Sequence, residues 1–186
     1  GKGPFYMCSP EFLKPFYEVK GDLQLGVMTG YKRYNANDFP NKSNDFIDFV
    51  RIACHPDKIA ESLKVAEDLH KKGYKIFIQL MEIQNVGADG YIELFQWKNK
   101  NILESLYFAD SYSALKPEDI EKYYNKLKTI GYEKLSFHAH NELGLALENS
   151  LRATELGCYT IDTTFNGIGR GGGNLKLQEL LENLPC

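Results

Sequence analysis

An α/β fold, a parallel sheet covered by helices, is the class this chain predicts, and three observations predict it. Short apolar runs rich in β-forming residues alternate with amphipathic helical stretches. Each strand-plus-helix unit takes roughly thirty residues, the length of a βαβ repeat. No linker, low-complexity tract or charge block interrupts the alternation, so residues 1–186 read as one domain. The rhythm alone leaves open whether the sheet is doubly wound or closed into a barrel.

In chain order, 9–19 reads as a helix ahead of the first strand. Strands are predicted at 23–28, 46–54, 75–81, 105–110, 134–140 and 159–164. The helix over 58–72 carries Ile59, Leu63, Ala66 and Leu69 at helical spacing and is closed by Gly73. In the helix over 117–130, Pro117 sits where the first turn tolerates proline. A further helix over 143–156 places Leu143, Leu147 and Leu151 on one stripe, with Gly157 past its end.

Composition narrows the function classes. With 43% hydrophobic and 25% charged residues in 186, the chain has material for a real core. Its charge of −3, with both signs interspersed, shows no footprint for a phosphate backbone, so nucleic acid is not an expected partner. The four cysteines, Cys8, Cys54, Cys158 and Cys186, are far apart and form no CxxC pair. That argues against a disulfide framework or structural zinc and for a reducing, cytoplasmic setting. No run approaches a membrane span and no leader is evident, so no membrane association is expected. The opening Gly1-Lys2-Gly3-Pro4 has no initiator methionine, and the chain is expected to start inside a longer one.

The sharpest motif is Phe137-His138-Ala139-His140-Asn141, at the end of the fifth strand. Side chains alternate faces along a strand, so His138 and His140 point the same way and their imidazoles converge on one ion or share a polar rim. Such a pair suits Zn²⁺, Mn²⁺, Co²⁺ or a similar cation, with oxygen ligands completing the shell. The sixth strand runs into the loop 166–174, Asn-Gly-Ile-Gly-Arg-Gly-Gly-Gly-Asn, where glycine permits close backbone approach. The loop does not carry GxGxxG spacing into a helix with an acidic residue about twenty positions on, which argues against a Rossmann nucleotide site. Arg51 and the pair Asp110-Ser111 put further polar groups at apolar strand ends, which looks like the mouth of a barrel assembled from several strands. His55 fits the same rim, but Pro56 and Asp57 follow it and helix-starting loop chemistry explains it equally well, so it is left out of the site.

Taken together these residues resemble the pyruvate-type metallolyases built on a TIM barrel, the family of hydroxymethylglutaryl-CoA lyase, isopropylmalate synthase and 4-hydroxy-2-oxovalerate aldolase. The resemblance runs over 23–181. It is most specific over 138–174, where His-x-His-Asn, a helix with Asn149-Ser150 and the loop ending in Gly173-Asn174 occur in register. The aldolase branch is nearest, through Val50-Arg51-Ile52-Ala53 with His55 and through Ala109-Asp110-Ser111. Arg170 stands where the synthases usually carry glutamate.

The resemblance implies a partial (β/α)₈ barrel of about six units, the third to eighth strands. It implies His138, His140 and Asn174 as ligands of a divalent metal (Mn, Co, Zn or Mg), and Arg51 and Ser111 as substrate-pocket residues. The implied reaction is metal-dependent cleavage of a 4-hydroxy-2-oxo acid to pyruvate and an aldehyde. The implied partner is a small 2-oxo acid, and a homo-oligomer is compatible. The family's Arg-Asp first strand, which supplies a metal ligand and a catalytic arginine, has no counterpart in these residues. Gly1 to Tyr6 resembles the loop after the family's second strand, so the N-terminal third is expected to lie outside the chain, and the chain alone is expected to be inactive. The alternatives are an acyl-CoA-dependent synthase of the same fold and a non-catalytic barrel remnant acting in assembly.

Overall fold

The computed structural model describes residues 8–44 and 46–184. The stretch 1–6, read as a family loop, and Cys186 lie outside the described residues. In chain order the regular elements are α1 (Pro10–Val19), β1 (Gly26–Gly30), β2 (Phe49–Cys54), α2 (Ile59–Lys71), β3 (Lys75–Leu80), α3 (Ala88–Gln96), β4 (Leu103–Asp110), α4 (Pro117–Thr129), β5 (Leu135–Ala139), α5 (Ala146–Glu155), β6 (Thr160–Ile161) and α6 (Leu177–Asn183). The strands form one parallel sheet in the order β1-β2-β3-β4-β5-β6.

Local chemistry sets the element ends. Ser9 caps α1, its hydroxyl accepting the Phe12 N–H at 3.4 Å. The stripe Ile59, Leu63, Ala66 and Leu69 is buried on α2, and Gly73 follows its C-cap at φ 92°, a left-handed turn that favours glycine. Pro117 occupies the first turn of α4, where Asp119 accepts the Lys116 N–H at 3.1 Å. Three predicted elements start late, the second strand, at Phe49 rather than 46, among them. The first strand begins at Gly26 rather than 23, because the Leu25 N–H is taken by the Asp48 carboxylate at 2.9 Å before pairing starts. The helix after β5 begins at Ala146 rather than 143: Asn141 Oδ1 accepts the Ala146 N–H, and Leu143 is left 65% exposed in the loop.

The two faces of the sheet differ in character. Val50, Ile52 and Cys54 of β2, Ile76, Ile78 and Leu80 of β3, Leu106 and Phe108 of β4, and Leu135 and Phe137 of β5 are buried against the helices in one core. The alternate residues Arg51, Gln79, Tyr107, His138 and Asp162 project to the other side. There Arg51 of β2 bonds Asp162, just past β6. In a flat sheet those strands would be four interstrand steps apart, about 19 Å. A direct arginine-carboxylate contact over that span requires a rolled sheet, so the architecture is that of a partial (β/α)₈ barrel with the polar face inside.

Candidate active site on the inner face

Asp162 joins the inner-face groups. Its carboxylate accepts from both terminal nitrogens of Arg51, with Nη2 to Oδ1 at 2.9 Å, in a fork-on-carboxylate arrangement. Its Oδ2 lies 3.0 Å from His138 Nδ1. Burial pushes the Asp162 carboxyl up, but the hydrogen bonds and charges of His138 and Arg51 outweigh that and hold it below the usual carboxylate range. An ionised carboxylate only accepts, so His138 Nδ1 donates to Asp162 and Nε2 is the nitrogen turned away from it. Arg51 is further fixed by Gln79 Oε1 at 3.2 Å and by the Tyr107 ring, 4.0 Å from its guanidinium carbon.

His138 and His140 place their rings edge to face, centroids 5.0 Å apart. Burial lowers the pKa of His140, helped by His138 and Arg170, so the neutral imidazole is favoured. The glycine-rich loop folds back onto this strand end. Asn141 N–H donates to Gly173 O at 2.9 Å, and His140 forms an antiparallel bridge with Asn174. Glycine is required at position 172, where a Cβ would fall 2.4 Å from the Glu142 Cα. Bridged residues share a face, so Asn174 stands beside His140. Its Nδ2 donates to Ile168 O at 3.1 Å, while its Oδ1 is buried without a hydrogen-bond partner.

These groups suit a divalent cation as neutral donors. One imidazole has a carboxylate behind its far nitrogen, a common support for metal-ligating histidine. A second is kept neutral, and one amide oxygen lacks a partner. Among the described residues no three His, Cys, Asp or Glu side chains group as a ligand set.

The other predicted site residue is placed differently. Ser111 Oγ accepts the Glu82 N–H at 2.9 Å, pinning a loop in which Glu82 adopts a left-handed φ of 51°. Among the described residues no hydrogen bond joins Ser111 to the Arg51, Asp162 and His138 chain. Asp110, its neighbour, is buried and accepts the N–H groups of Ala114 and Leu115 at 2.9 and 3.2 Å; burial still raises its carboxyl pKa. Sequence reasoning passed over Asp162, Gln79 and Tyr107. The available signal for Asp162 was its parity with Thr160 and Thr164 on a strand otherwise read only for its ends.

The HMGL-like family model matches residues 39–185. The chain belongs to the HMGL-like family. It is similar to an oxaloacetate decarboxylase of Mycobacterium tuberculosis, 25% identical over 185 residues, covering 98% of this chain and 54% of that protein. It is also similar to a 4-hydroxy-2-oxovalerate aldolase of Carboxydothermus hydrogenoformans, 29% identical over 174 residues, covering 92% of this chain and 51% of that one. In fold it matches the N-terminal domain of an aldolase-type protein from Bacteroides vulgatus with a TM-score of 0.86 at 24% identity, over 98% of this chain and 62% of that chain. The HMGL-like chain thus spans about half the length of the curated relatives it matches. Among its described residues no helix is long and apolar enough to cross a membrane.

Proposed function

We infer that this chain is part of a divalent-metal-dependent lyase that cleaves a carbon-carbon bond in a small 2-oxo acid to leave pyruvate, with a 4-hydroxy-2-oxo acid as the substrate. The observation that supports it is the Arg51, Asp162 and His138 chain beside His140, on the inner face of a family barrel.

In this reading His138 Nε2, His140 and Asn174 Oδ1 hold the cation. When bound, a divalent cation supplies Lewis-acid polarisation of the substrate's 2-oxo group. The chain's own residues do the rest. Asp162 accepts from His138 Nδ1 and so orients the ring with Nε2 toward the cation. Arg51, locked by Asp162, Gln79 and Tyr107, presents its remaining N–H donors to the substrate carboxylate without first having to order its side chain. The glycine loop holds Asn174 against His140. In the cleavage itself the C3–C4 bond breaks. The 4-hydroxyl proton leaves as the aldehyde forms, and C3 takes up a proton to give pyruvate.

The test is pyruvate release from 4-hydroxy-2-oxovalerate and from oxaloacetate by the natural full-length protein that contains this chain, followed with lactate dehydrogenase. Metal-dependent release from the hydroxy acid that chelation removes and Mn²⁺ restores is the expected result. Release from oxaloacetate alone would move the reading to a decarboxylase, and no release from either would overturn it.

A further inference from the structure

The inner face around Arg51 is built in two halves. On the β2 and β3 side Phe49 and Phe77 pack edge to face, centroids 5.1 Å apart, and Phe77 meets the Tyr107 ring in the same way at 6.1 Å. On the β5 and β6 side stand hydroxyls. Tyr107, Ser136 and Thr160 are register partners across β4, β5 and β6 and so share one face, and Ser105 lies two residues before Tyr107 on that face. Ser105 and Ser136 are buried. Tyr107 spans the halves, its ring against phenylalanine and its phenol oxygen among the hydroxyls.

Four hydrogen bonds tie these hydroxyls into one chain. Tyr107 Oη and Thr160 Oγ1 are 2.7 Å apart, and Thr160 Oγ1 donates to Ser136 Oγ at 2.6 Å. Ser136 Oγ and Ser105 Oγ are 2.6 Å apart, and Ser105 Oγ donates to Lys134 O at 3.1 Å. The last acceptor is a backbone carbonyl, and each hydroxyl has one proton to give. Ser105 spends its proton on Lys134, so Ser136 donates to Ser105. Thr160 spends its own on Ser136, so Tyr107 donates to Thr160. Burial pushes the Tyr107 phenol up, so it holds that proton. What Tyr107 presents to Arg51 is its ring, 4.0 Å from the guanidinium carbon. Packing on Phe77 restrains one edge of the ring, and the directional hydrogen bond to Thr160 fixes its far end.

We propose that Thr160 is a positioning residue of the inner-face site: its hydroxyl anchors the phenol end of Tyr107 and so sets the ring on which the Arg51 guanidinium rests. The clamp on Arg51 stands on these contacts alone. Its consequence, an arginine oriented before a substrate carboxylate arrives, rests on the lyase reading above.

The experiment uses the natural full-length protein that contains this chain. Thr160→Val loses the hydroxyl, Thr160→Ser keeps it, Ser136→Ala breaks the chain at its next link, and Tyr107→Phe removes the phenol oxygen. Thr129→Val, on α4, is the distant control, and circular dichroism checks folding. Nuclear magnetic resonance of arginine-labelled protein without substrate reads the Arg51 Nη–H signals, assigned by their loss in Arg51→Lys. Separate signals are expected in the wild type, Thr160→Ser and the control. They should merge, as the guanidinium turns more freely, in Thr160→Val, Ser136→Ala and Tyr107→Phe. In pyruvate release from 4-hydroxy-2-oxovalerate, Thr160→Val and Tyr107→Phe should each raise KM about three- to tenfold, the worth of one neutral hydrogen bond, with kcat unchanged. Combining the two should add nothing further, because both remove the same contact.

Arg51 signals alike in the wild type, Thr160→Val and Ser136→Ala overturn the proposal. So does Thr160→Ser behaving as Thr160→Val does, which assigns the effect to side-chain volume. A much larger fall in kcat in Tyr107→Phe than in Thr160→Val overturns it as well, because the phenol would then act on the substrate directly. No pyruvate release from the wild type removes the lyase reading alone, and the Arg51 signals still decide the clamp.

Discussion

The two faces of the sheet are made from the same strands, residue by residue in alternation, yet they do different work. On the helix side Ile52, Ile78, Leu106 and Phe108 are fully buried. On the inner side the alternate residues are Arg51, Gln79, Tyr107, His138 and Asp162, and the side chains of Arg51, Asp162 and His138 keep 18%, 19% and 16% of their surface exposed. The outer face stabilises the fold by removing apolar surface from water, about 25 cal/mol per Å². On the inner face the desolvation of charges offsets much of what pairing gains. Stability and chemistry are thus separated by one residue along each strand.

The largest effect should come from the outer face. Phe108→Ala removes a fully buried ring and is expected to cost about 3–5 kcal/mol. Chemical denaturation measures this, and a loss under 1 kcal/mol would show that the helix-side core is not the main source of stability.

On the inner face, Asp162→Asn should leave the fold standing but weaken Mn²⁺ binding about 10–100-fold, because His138 loses the carboxylate that fixes its tautomer. Equal Mn²⁺ affinity in this variant would make Asp162 a partner of Arg51 alone.

A smaller loss is expected from Ser111→Ala, which removes the acceptor for the Glu82 N–H. About 1 kcal/mol of stability should go, with metal affinity unchanged. A fall in substrate affinity without a fall in stability would instead place Ser111 in the pocket.

The smallest effect is on acid stability. Asp162 and Asp48 both sit below the usual carboxylate range, Asp48 because Leu25 N–H, Lys20 and Lys42 together outweigh its burial. Each contributes stability that is present above its unfolded value, near pH 4, and that is lost as pH falls through the lower folded value. Stability should therefore fall below about pH 4, and less steeply in Asp162→Asn. Parallel curves for variant and wild type would contradict the Asp162 assignment.

The alternation of strands and helices was legible because apolar periodicity survives in each segment, and the inward pairing of His138 and His140 followed from strand geometry alone. Asp162 was hidden because its partner Arg51 is 111 residues away in sequence. Helix α3 was missed because Gly90 interrupts its pattern. That glycine answers a tertiary demand, since a Cβ there would lie 2.8 Å from Ile59 Cδ1 on α2. The inward arginine was seen, but the sheet curvature that gives it a carboxylate was not, because rolling is a property of six strands together.

The central claim is that the inner-face histidines hold a divalent ion. Pulsed electron paramagnetic resonance of bound Mn²⁺ tests it directly, reading nitrogen couplings in the wild type and in His138→Ala with His140→Ala. The account predicts one Mn²⁺ per chain with histidine nitrogen coupling, and loss of both coupling and binding in the double variant. Mn²⁺ bound with undiminished affinity and no nitrogen coupling, alike in both proteins, would contradict it.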